Sequence, residues 1–296
     1  MEDNSTDILK QVRKIEIKTR GLSNEIFAGK YHSAFKGRGM AFSEVREYRI
    51  GDDIRDIDWN VTARTRKPHI KTYEEERELT LMLLVDVSGS RLFGTTDKLK
   101  KNVVTEIAAV LAFSAAQNND KIGCIFFSDK VEKFIPPKKG RKHILTIIRE
   151  LIEFVPQDKS TDISEALRFL TNITKKHCTA FVLSDFMDLE GDGGSVRFEE
   201  ALKIASGKHD MVGIRVYDPR EKEVPDVGLM ELRDAETGKR VWFDSSSAAA
   251  RKAYRERWAR SEAAIETALR RCRVDSAEVG TGDDYVQALL KLFAKR

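Results

Sequence analysis

Residues 79–90, LTLMLLVDVSGS, decide the fold of this 296-residue chain. The first seven of these residues include six apolar ones without alternation, which is typical of a strand buried on both faces at the centre of a parallel sheet. The run ends in one acid and two hydroxyls, Asp86, Ser88 and Ser90. Because ligands of open α/β sheets bind outside the carboxyl ends of the strands, these three side chains are predicted to lie where a ligand binds.

The chemistry of this turn allows two interpretations. A carboxylate and two hydroxyls are hard oxygen ligands of the kind that Mg2+ prefers, and Gly89 allows a tight turn between the two serines. Alternatively, this is a polar turn from strand to helix in which the serines cap the next helix. The short Asp-x-Ser-x-Ser pattern by itself leaves both interpretations open.

Composition excludes several classes of protein. No apolar run approaches the roughly 18 residues of a membrane span, and the start, MEDNSTDILK, lacks the basic and apolar pattern of a signal peptide. The 52 basic and 48 acidic residues nearly balance, so bulk charge gives nucleic-acid binding no support. Three widely spaced cysteines fit neither a disulfide framework nor a zinc site. We therefore expect a soluble, cytoplasmic protein with no membrane span.

Strands and helices are predicted to alternate after the opening strand. Strands are predicted at 120–128, 177–184, 211–217 and 273–279, with an antiparallel edge strand at 131–135. Helices are predicted at 97–117, 141–154, 163–174, 199–206 and 283–295. This order predicts an α/β fold with a doubly wound, mainly parallel, Rossmann-type sheet and right-handed crossovers.

The remaining segments lie before and within this main domain, which is predicted at 79–296. An N-terminal helix and linker occupy 1–28, and a small β-rich module is predicted at 29–78, with strand-like pieces at 42–50 and 69–73. An insertion at about 219–272 contains a hairpin, 229–233 with 240–244, and a long charged helix, 247–272. The apolar face of that helix is expected to pack against its own domain.

Two further oxygen ligands are predicted at the same edge of the sheet. Thr161 precedes a predicted helix, and Asp185 directly follows a buried strand. Convergence of three separate segments on one edge favours a site for a divalent cation. Asp86 and Asp185 alone would just neutralise such an ion, which would leave it attractive to an incoming carboxylate.

These residues carry a resemblance to a known site. Asp86, Ser88, Ser90, Thr161 and Asp185 resemble the metal-ion-dependent adhesion site of von Willebrand factor A domains. The resemblance implies that the two serines and the threonine bind Mg2+ directly, with Mn2+ or Ca2+ as alternatives. It also implies that the acids often act through water and that a carboxylate of a partner fills the open position.

Nearly the whole chain is similar to the bacterial domain of unknown function fifty-eight. The similarity runs through GRGMAFSEVREYRIGDD, VGLMELRDAETGKRVWFD and TGDDYVQALLKLFAKR. Members of that family are commonly encoded beside MoxR-type AAA+ ATPases. The resemblance therefore implies a non-enzymatic, metal-dependent adaptor for such an ATPase or its client protein, acting in protein remodelling or complex maturation.

The alternative function is that of a metal-dependent hydrolase, a phosphoesterase that uses Asp86 or the acids of residues 52–58. A competing interpretation of this acidic segment is a charged turn followed by a short strand, with Ile57 and Trp59 facing the core. In that interpretation the acids Asp52, Asp53, Asp56 and Asp58 pair with Arg46, Arg49, Arg55 and Arg64.

Other catalytic motifs are absent from the sequence. Ser88 lies outside a Gly-x-Ser-x-Gly motif, and no Gly-Lys pair is followed by Ser or Thr, so neither esterase activity nor ATP hydrolysis is expected. The basic segment 138–143, KKGRKH, is predicted to be a solvated loop and helix start.

Overall fold

The computed structural model describes residues 10–19, 39–76, 79–95, 98–191, 194–234 and 238–296. The chain divides into two compact units, Phe35–Leu79 on one hand and Met1–Ala34 with Thr80–Arg296 on the other. The predicted boundaries near residues 28 and 78 lie outside the described residues, as do residues 1–9 and 20–28 of the predicted N-terminal helix and linker. Residues 10–19 of that helix form α1.

The smaller unit contains a two-stranded antiparallel sheet and a short helix. Strand β1 (Gly39–Glu47) pairs with β2 (His69–Glu76), and α2 (Trp59–Thr65) lies between them in the chain. The short strand predicted around Ile57 and Trp59 is wrong, because the Asp58 carboxylate caps α2 by accepting the N–H groups of Asn60 and Val61. Trp59 is 70% exposed and does not face a core.

The larger unit is built on a six-stranded sheet with the order β12-β9-β6-β3-β4-β5. Every neighbouring pair is parallel except β4 and β5, which confirms the doubly wound, mainly parallel α/β fold with an antiparallel edge strand. Its strands are β3 (Thr80–Asp86), β4 (Lys121–Phe127), β5 (Val131–Lys138), β6 (Thr179–Ser184), β9 (Asp210–Tyr217) and β12 (Asp275–Gly280). Two smaller antiparallel pairs are β7 (Leu189–Glu190) with β8 (Ser195–Val196), and β10 (Leu229–Arg233) with β11 (Arg240–Asp244).

Helices follow the strands along the chain in the predicted order. They are α3 (Lys100–Gln117), α4 (Arg141–Glu153), α5 (Ile163–Ile173), α6 (Glu199–Lys208), α7 (Pro219–Lys222), α8 (Ala248–Arg271) and α9 (Tyr285–Ala294). The core lies around β3, whose residues 81–85 are at most 1% exposed. The unbroken apolar run therefore marks a strand buried on both faces, as the sequence predicts.

The strand order places a switch point at β3. The chain passes from β3 to β4 on one side, and later returns to β6 on the other side of β3. Loops that leave β3 and β6 in opposite directions open a crevice outside the carboxyl ends of these strands. The fold therefore provides a ligand position at this point.

The open edge of the sheet at β5 contains a bulge. Ile122 pairs with Lys138 and Cys124 pairs with Ile135, so Pro136 and Pro137 lie together opposite a single residue of β4. Proline has no N–H to donate to a ladder, and it is found at bulges and edge strands for this reason.

The insertion after β9 contains the predicted hairpin and long helix. Phe243 of β11 packs against Tyr254 of α8 with ring centroids 6.1 Å apart. Further along α8, Ile265 and Leu269 are buried in the core, which confirms that the helix packs against its own domain. Trp242, on the hairpin, is 68% exposed.

His209 makes the stability of this unit dependent on pH. The imidazole is buried at the end of α6, with Nδ1 3.4 Å from Cys178 Sγ. Burial, and then the charges of Lys208 and His177, lower the pKa of His209 to about 4. The unfolded chain therefore takes up this proton as pH falls below about 6.5 while the folded chain resists it.

We predict that, because of His209, the free energy of unfolding falls by about 2 kcal/mol when the pH is lowered from 7.5 to 5. The stabilisation that comes from a neutral His209 in the folded chain is fully present above about pH 6.5 and is lost as the pH falls towards 4. Urea unfolding at several pH values checks this, because His209→Gln should flatten the pH dependence. Equal pH dependence in the wild type and the variant would contradict the prediction.

Candidate metal centre

The two predicted acids lie at the ends of neighbouring strands. Asp86 is the last residue of β3, and Asp185 follows Ser184 at the end of β6. These strands are paired, with Val85 opposite Leu183. The pairing of the two strands brings the carboxylates together at the switch point, and both are buried there.

Asp86 is held by donors from both strand ends. Its Oδ1 accepts the backbone N–H of Ser88 at 2.9 Å, and its Oδ2 accepts the hydroxyl of Ser184 at 2.6 Å. Burial, and then the charge of Asp185, nevertheless raise the pKa of Asp86 to about 6. A carboxyl group destabilised by a neighbouring acid is one that a bound cation would stabilise in its ionised form.

Asp185 is oriented by an unusual turn. The next residue, Phe186, has a φ of 59°, a conformation that bulky L-residues rarely adopt. The ring of Phe186 is buried against Phe198, and its N–H donates to the Ser184 hydroxyl at 3.0 Å. The Oδ1 of Asp185 accepts the N–H of Met187 at 3.2 Å. Packing and hydrogen bonds therefore hold this turn in place.

The Ser88 side chain does not cap the turn that follows it. Ser88 precedes a 3-10 turn, Gly89–Leu92, but its side chain makes no capping hydrogen bond. Its Oγ lies 3.3 Å from the Oγ of Ser90. Neighbouring ligands on an octahedral Mg2+ with bonds of about 2.1 Å are about 3.0 Å apart. The two hydroxyls thus have a spacing that suits adjacent positions on one ion.

The loop that carries Thr161 is tied to three strand ends, and Thr161 itself is buried. These ties bring the loop to the edge of the sheet that carries Asp86 and Asp185. Three hydrogen bonds hold the loop. The N–H of Gly89 donates to the carbonyl of Lys159 at 2.9 Å, and the N–H of Asp162 donates to the carbonyl of Ser128 at 2.8 Å. The N–H of Ile163 donates to Oδ2 of Asp188 at 3.0 Å.

Sequence reasoning missed Lys100 and Glu221. Lys100 is the first residue of α3, and its ammonium donates to Oδ2 of Asp185 at 2.9 Å and to Oε1 of Glu221 at 2.6 Å. The only local signal is a lysine at the positive end of a helix, where a cation is disfavoured. Glu221 comes from α7, far along the chain, so no sequence pattern joins the two.

These two residues join the site without changing its formal charge. Asp185 and Glu221 share the Lys100 ammonium, and Asp86, Asp185, Glu221 and Lys100 together have a formal charge of −2, which is the value that Asp86 and Asp185 alone would give. Burial raises the pKa of Asp185, but the charge and hydrogen bond of Lys100 outweigh this and lower it overall. Burial lowers the pKa of Lys100, but Asp185 and Glu221 raise it overall, so the ammonium stays charged.

The donor set fits a hard divalent ion. Within the described ranges, no group of three or more His, Cys, Asp or Glu side chains is arranged to hold a metal. A metal at the switch point would therefore depend on hydroxyl oxygens as well as carboxylates. Ser88, Ser90 and Thr161 would supply the hydroxyls, with Asp86 and Asp185 beside them, and oxygen-only sites select Mg2+, Mn2+ or Ca2+ over softer ions.

The acidic segment of the smaller unit has a local structural role. Asp52 makes two hydrogen bonds with Arg46, at 2.9 and 2.8 Å, and accepts the N–H of Arg49 at 2.7 Å. The hydrogen bond from Arg46, and then that from the Arg49 N–H, lower the pKa of Asp52. Asp53 accepts the N–H of Arg55, and Asp58 caps α2. These carboxylates hold turns and helix starts, as interleaved arginines suggest.

The fold and the site resemble those of a known class of domain. A doubly wound sheet with Asp-x-Ser-x-Ser, a threonine loop and a second aspartate at its switch point is similar to a von Willebrand factor A domain. The chain belongs to the family described as Protein of unknown function DUF58, whose model matches residues 44–264.

Several known proteins are similar to this chain. An uncharacterized protein of Mycobacterium tuberculosis is 28% identical over 291 residues, which cover 96% of this chain and 88% of the relative. The SpRpn10 VWA domain has a TM-score of 0.36 and 9% identity, over 74% of this chain and 95% of its own. An aerotolerance-related membrane protein of Bacteroides fragilis has a TM-score of 0.49 and 17% identity, over 74% of this chain and 100% of its own.

The predicted cytoplasmic location is wrong as an inference from sequence. Similar solved structures include the aerotolerance-related membrane protein and an uncharacterized membrane spanning protein of Vibrio fischeri. In the part of the chain that the structure describes, no helix is long and apolar enough to cross a membrane. The lack of an apolar run in the described residues therefore does not fix a compartment.

We predict that Ser184→Ala destabilises the protein by about 1–3 kcal/mol, because it removes a donor from the buried Asp86 carboxylate. Urea unfolding without added metal measures the loss. Ser114→Ala is the matched control, since Ser114 is also buried but donates to the Val110 carbonyl of its own helix. That control should lose less than about 1 kcal/mol, and equal losses in the two variants would contradict the prediction.

Proposed function

We propose that this protein is a non-enzymatic, metal-dependent interaction module. Ser88, Ser90 and Thr161 would hold Mg2+, with Mn2+ or Ca2+ as alternatives, and Asp86 and Asp185 would neutralise its charge. An acidic side chain of a partner would complete the coordination. The observation that carries this proposal is the pair of hydroxyls 3.3 Å apart beside two buried carboxylates at the switch point.

The hydrogen bonds of the two acids support docking over catalysis. Asp86 accepts from Ser88 and Ser184, and Asp185 accepts from Lys100 and Met187. A general base must be able to approach the proton that it removes, whereas both of these carboxylates are already bound by the protein. The hydrogen bonds fix both carboxylates in place, which favours a docking role over proton transfer.

The charge of the site supports an acidic partner. Asp86, Asp185, Glu221 and Lys100 have a formal charge of −2, so a divalent ion brings these four residues to neutrality, and the charge of the buried Arg91 also acts on Asp86. A neutral group with an incompletely coordinated ion still attracts a carboxylate at short range. We propose that this carboxylate belongs to a MoxR-type AAA+ ATPase or its client, for which the protein acts as an adaptor in remodelling or complex maturation. The resemblance described above is the support for this partner.

The alternative, a metal-dependent hydrolase, has less support. Asp52 bonds to Arg46, Asp53 accepts the N–H of Arg55, and Asp58 caps the start of α2. These hydrogen bonds leave fewer carboxylate oxygens free to coordinate a metal ion. Phosphoester turnover that is abolished by Asp56→Ala would contradict our proposal and favour the hydrolase.

We predict that Mg2+ stabilises the wild type and not Ser88→Ala or Asp86→Ala. At ten times the dissociation constant of the ion the gain is about 1.4 kcal/mol in the free energy of unfolding. Thermal unfolding with a Mg2+ titration measures it, with Ser114→Ala as a control for the loss of a buried hydroxyl. Equal stabilisation of the wild type and Asp86→Ala by Mg2+ would contradict the proposed metal site.

We predict that a purified MoxR-type ATPase binds the immobilised protein in Mg2+ and is released by EDTA. Ser88→Ala should abolish binding, because it removes one hydroxyl ligand, while Ser114→Ala should bind like the wild type. Quantitative capture on beads measures both. Binding that is insensitive to EDTA and to Ser88→Ala would contradict a metal-dependent contact.

A further inference from the structure

Lys100 occupies an unfavourable position for a cation. Its side chain is 2% exposed, and it stands at the first position of α3, where the helix dipole repels positive charge. A buried ammonium persists only when acids surround it. Asp185 and Glu221 are those acids, so the placement of Lys100 depends on the candidate metal centre itself.

Lys100 also engages an oxygen atom that the ion needs. Of the two oxygens of Asp185, Oδ2 accepts the Lys100 ammonium at 2.9 Å and Oδ1 accepts the N–H of Met187 at 3.2 Å. The Ser90 hydroxyl also lowers the pKa of this carboxylate. A divalent ion that draws on Asp185, directly or through water, must therefore compete with the ammonium for this carboxylate.

Glu221 offers Lys100 a second carboxylate. Its Oε1 accepts the ammonium at 2.6 Å, while its Oε2 accepts the N–H of Asp218 at 2.8 Å in the capping box of α7. The cap fixes the carboxylate in place whether or not Asp185 is bound to Lys100. The ammonium can therefore stay paired with Glu221 when Asp185 turns towards an ion.

We infer that Lys100 is an internal competitor of the divalent ion for Asp185, and that Glu221 holds it when the ion binds. This inference rests on the proposed function and adds a regulation to it. Because the ammonium and the ion repel each other, the ion alone binds weakly, and an incoming carboxylate attracted by both charges completes the site. Metal and acidic partner then bind together more tightly than either binds alone.

The experiment measures the affinity for Mn2+ alone, by electron paramagnetic resonance of the free ion. Lys100→Met should bind Mn2+ at least about tenfold more tightly than the wild type, because the competitor is gone. Glu221→Gln should bind Mn2+ several-fold more weakly, because Lys100 then loses its pairing with Glu221 and stays paired with Asp185. Lys101→Met is the matched control, since the neighbouring ammonium bonds the backbone carbonyl of Ile152, and its affinity should change by less than about threefold.

Each result decides the question. Lys100→Met binding no more tightly than the wild type, or no more tightly than Lys101→Met, overturns the inference while the proposed metal site stands. No Mn2+ binding by any of the proteins overturns both. If Lys100→Met fails to fold, Glu221→Gln decides, because it keeps the lysine and its pairing with Asp185, and an unchanged affinity in that variant overturns the inference.

Discussion

The burial of two carboxylates at the ends of paired strands is the constraint on which the site depends. Asp86 and Asp185 lose hydration and repel each other where β3 and β6 end. Their surroundings supply the compensation. The serine turn presents an N–H to Asp86, Ser184 adds a hydroxyl, and the start of α3 brings Lys100 to Asp185. The switch point thus brings the two acids together, and the loops around it make their proximity tolerable.

The sequence predicts those parts of the fold and site that local patterns encode. An unbroken apolar run gives the central strand, and side chains that directly follow such runs are placed at the carboxyl edge by connectivity alone. The pair of Lys100 and Glu221 has no such signal, because its members lie on separate elements and meet only through packing. Trp59 shows the opposite case. The capping signal of Asp58 was present in the sequence, and the interpretation as a strand overlooked it.

The insertion is connected to the rim of the site by hydrogen bonds. Glu221, at its beginning, receives Lys100 on its side chain and the hydroxyl of Tyr254 on its backbone carbonyl at 2.9 Å. The buried carboxylate of Asp218 accepts the hydroxyls of Thr95 and Thr281 at 2.6 and 2.8 Å, and so links three segments at the same edge. The family model spans residues 44–264, which contain five of the six strands of the main sheet and most of the insertion. The long helix and the ligand position therefore belong to one connected structure.

The bulge in β5 has a consequence for how other chains can approach. An edge strand normally offers a row of backbone groups to which a foreign strand can add, which leads to aggregation or to β-augmentation. Pro136 and Pro137 remove two N–H donors from this strand, and the bulge breaks the regular spacing of its backbone groups. This end of β5 is thereby protected against accidental strand addition. A chain that extended the sheet along β5 would lose its register where the two prolines lie.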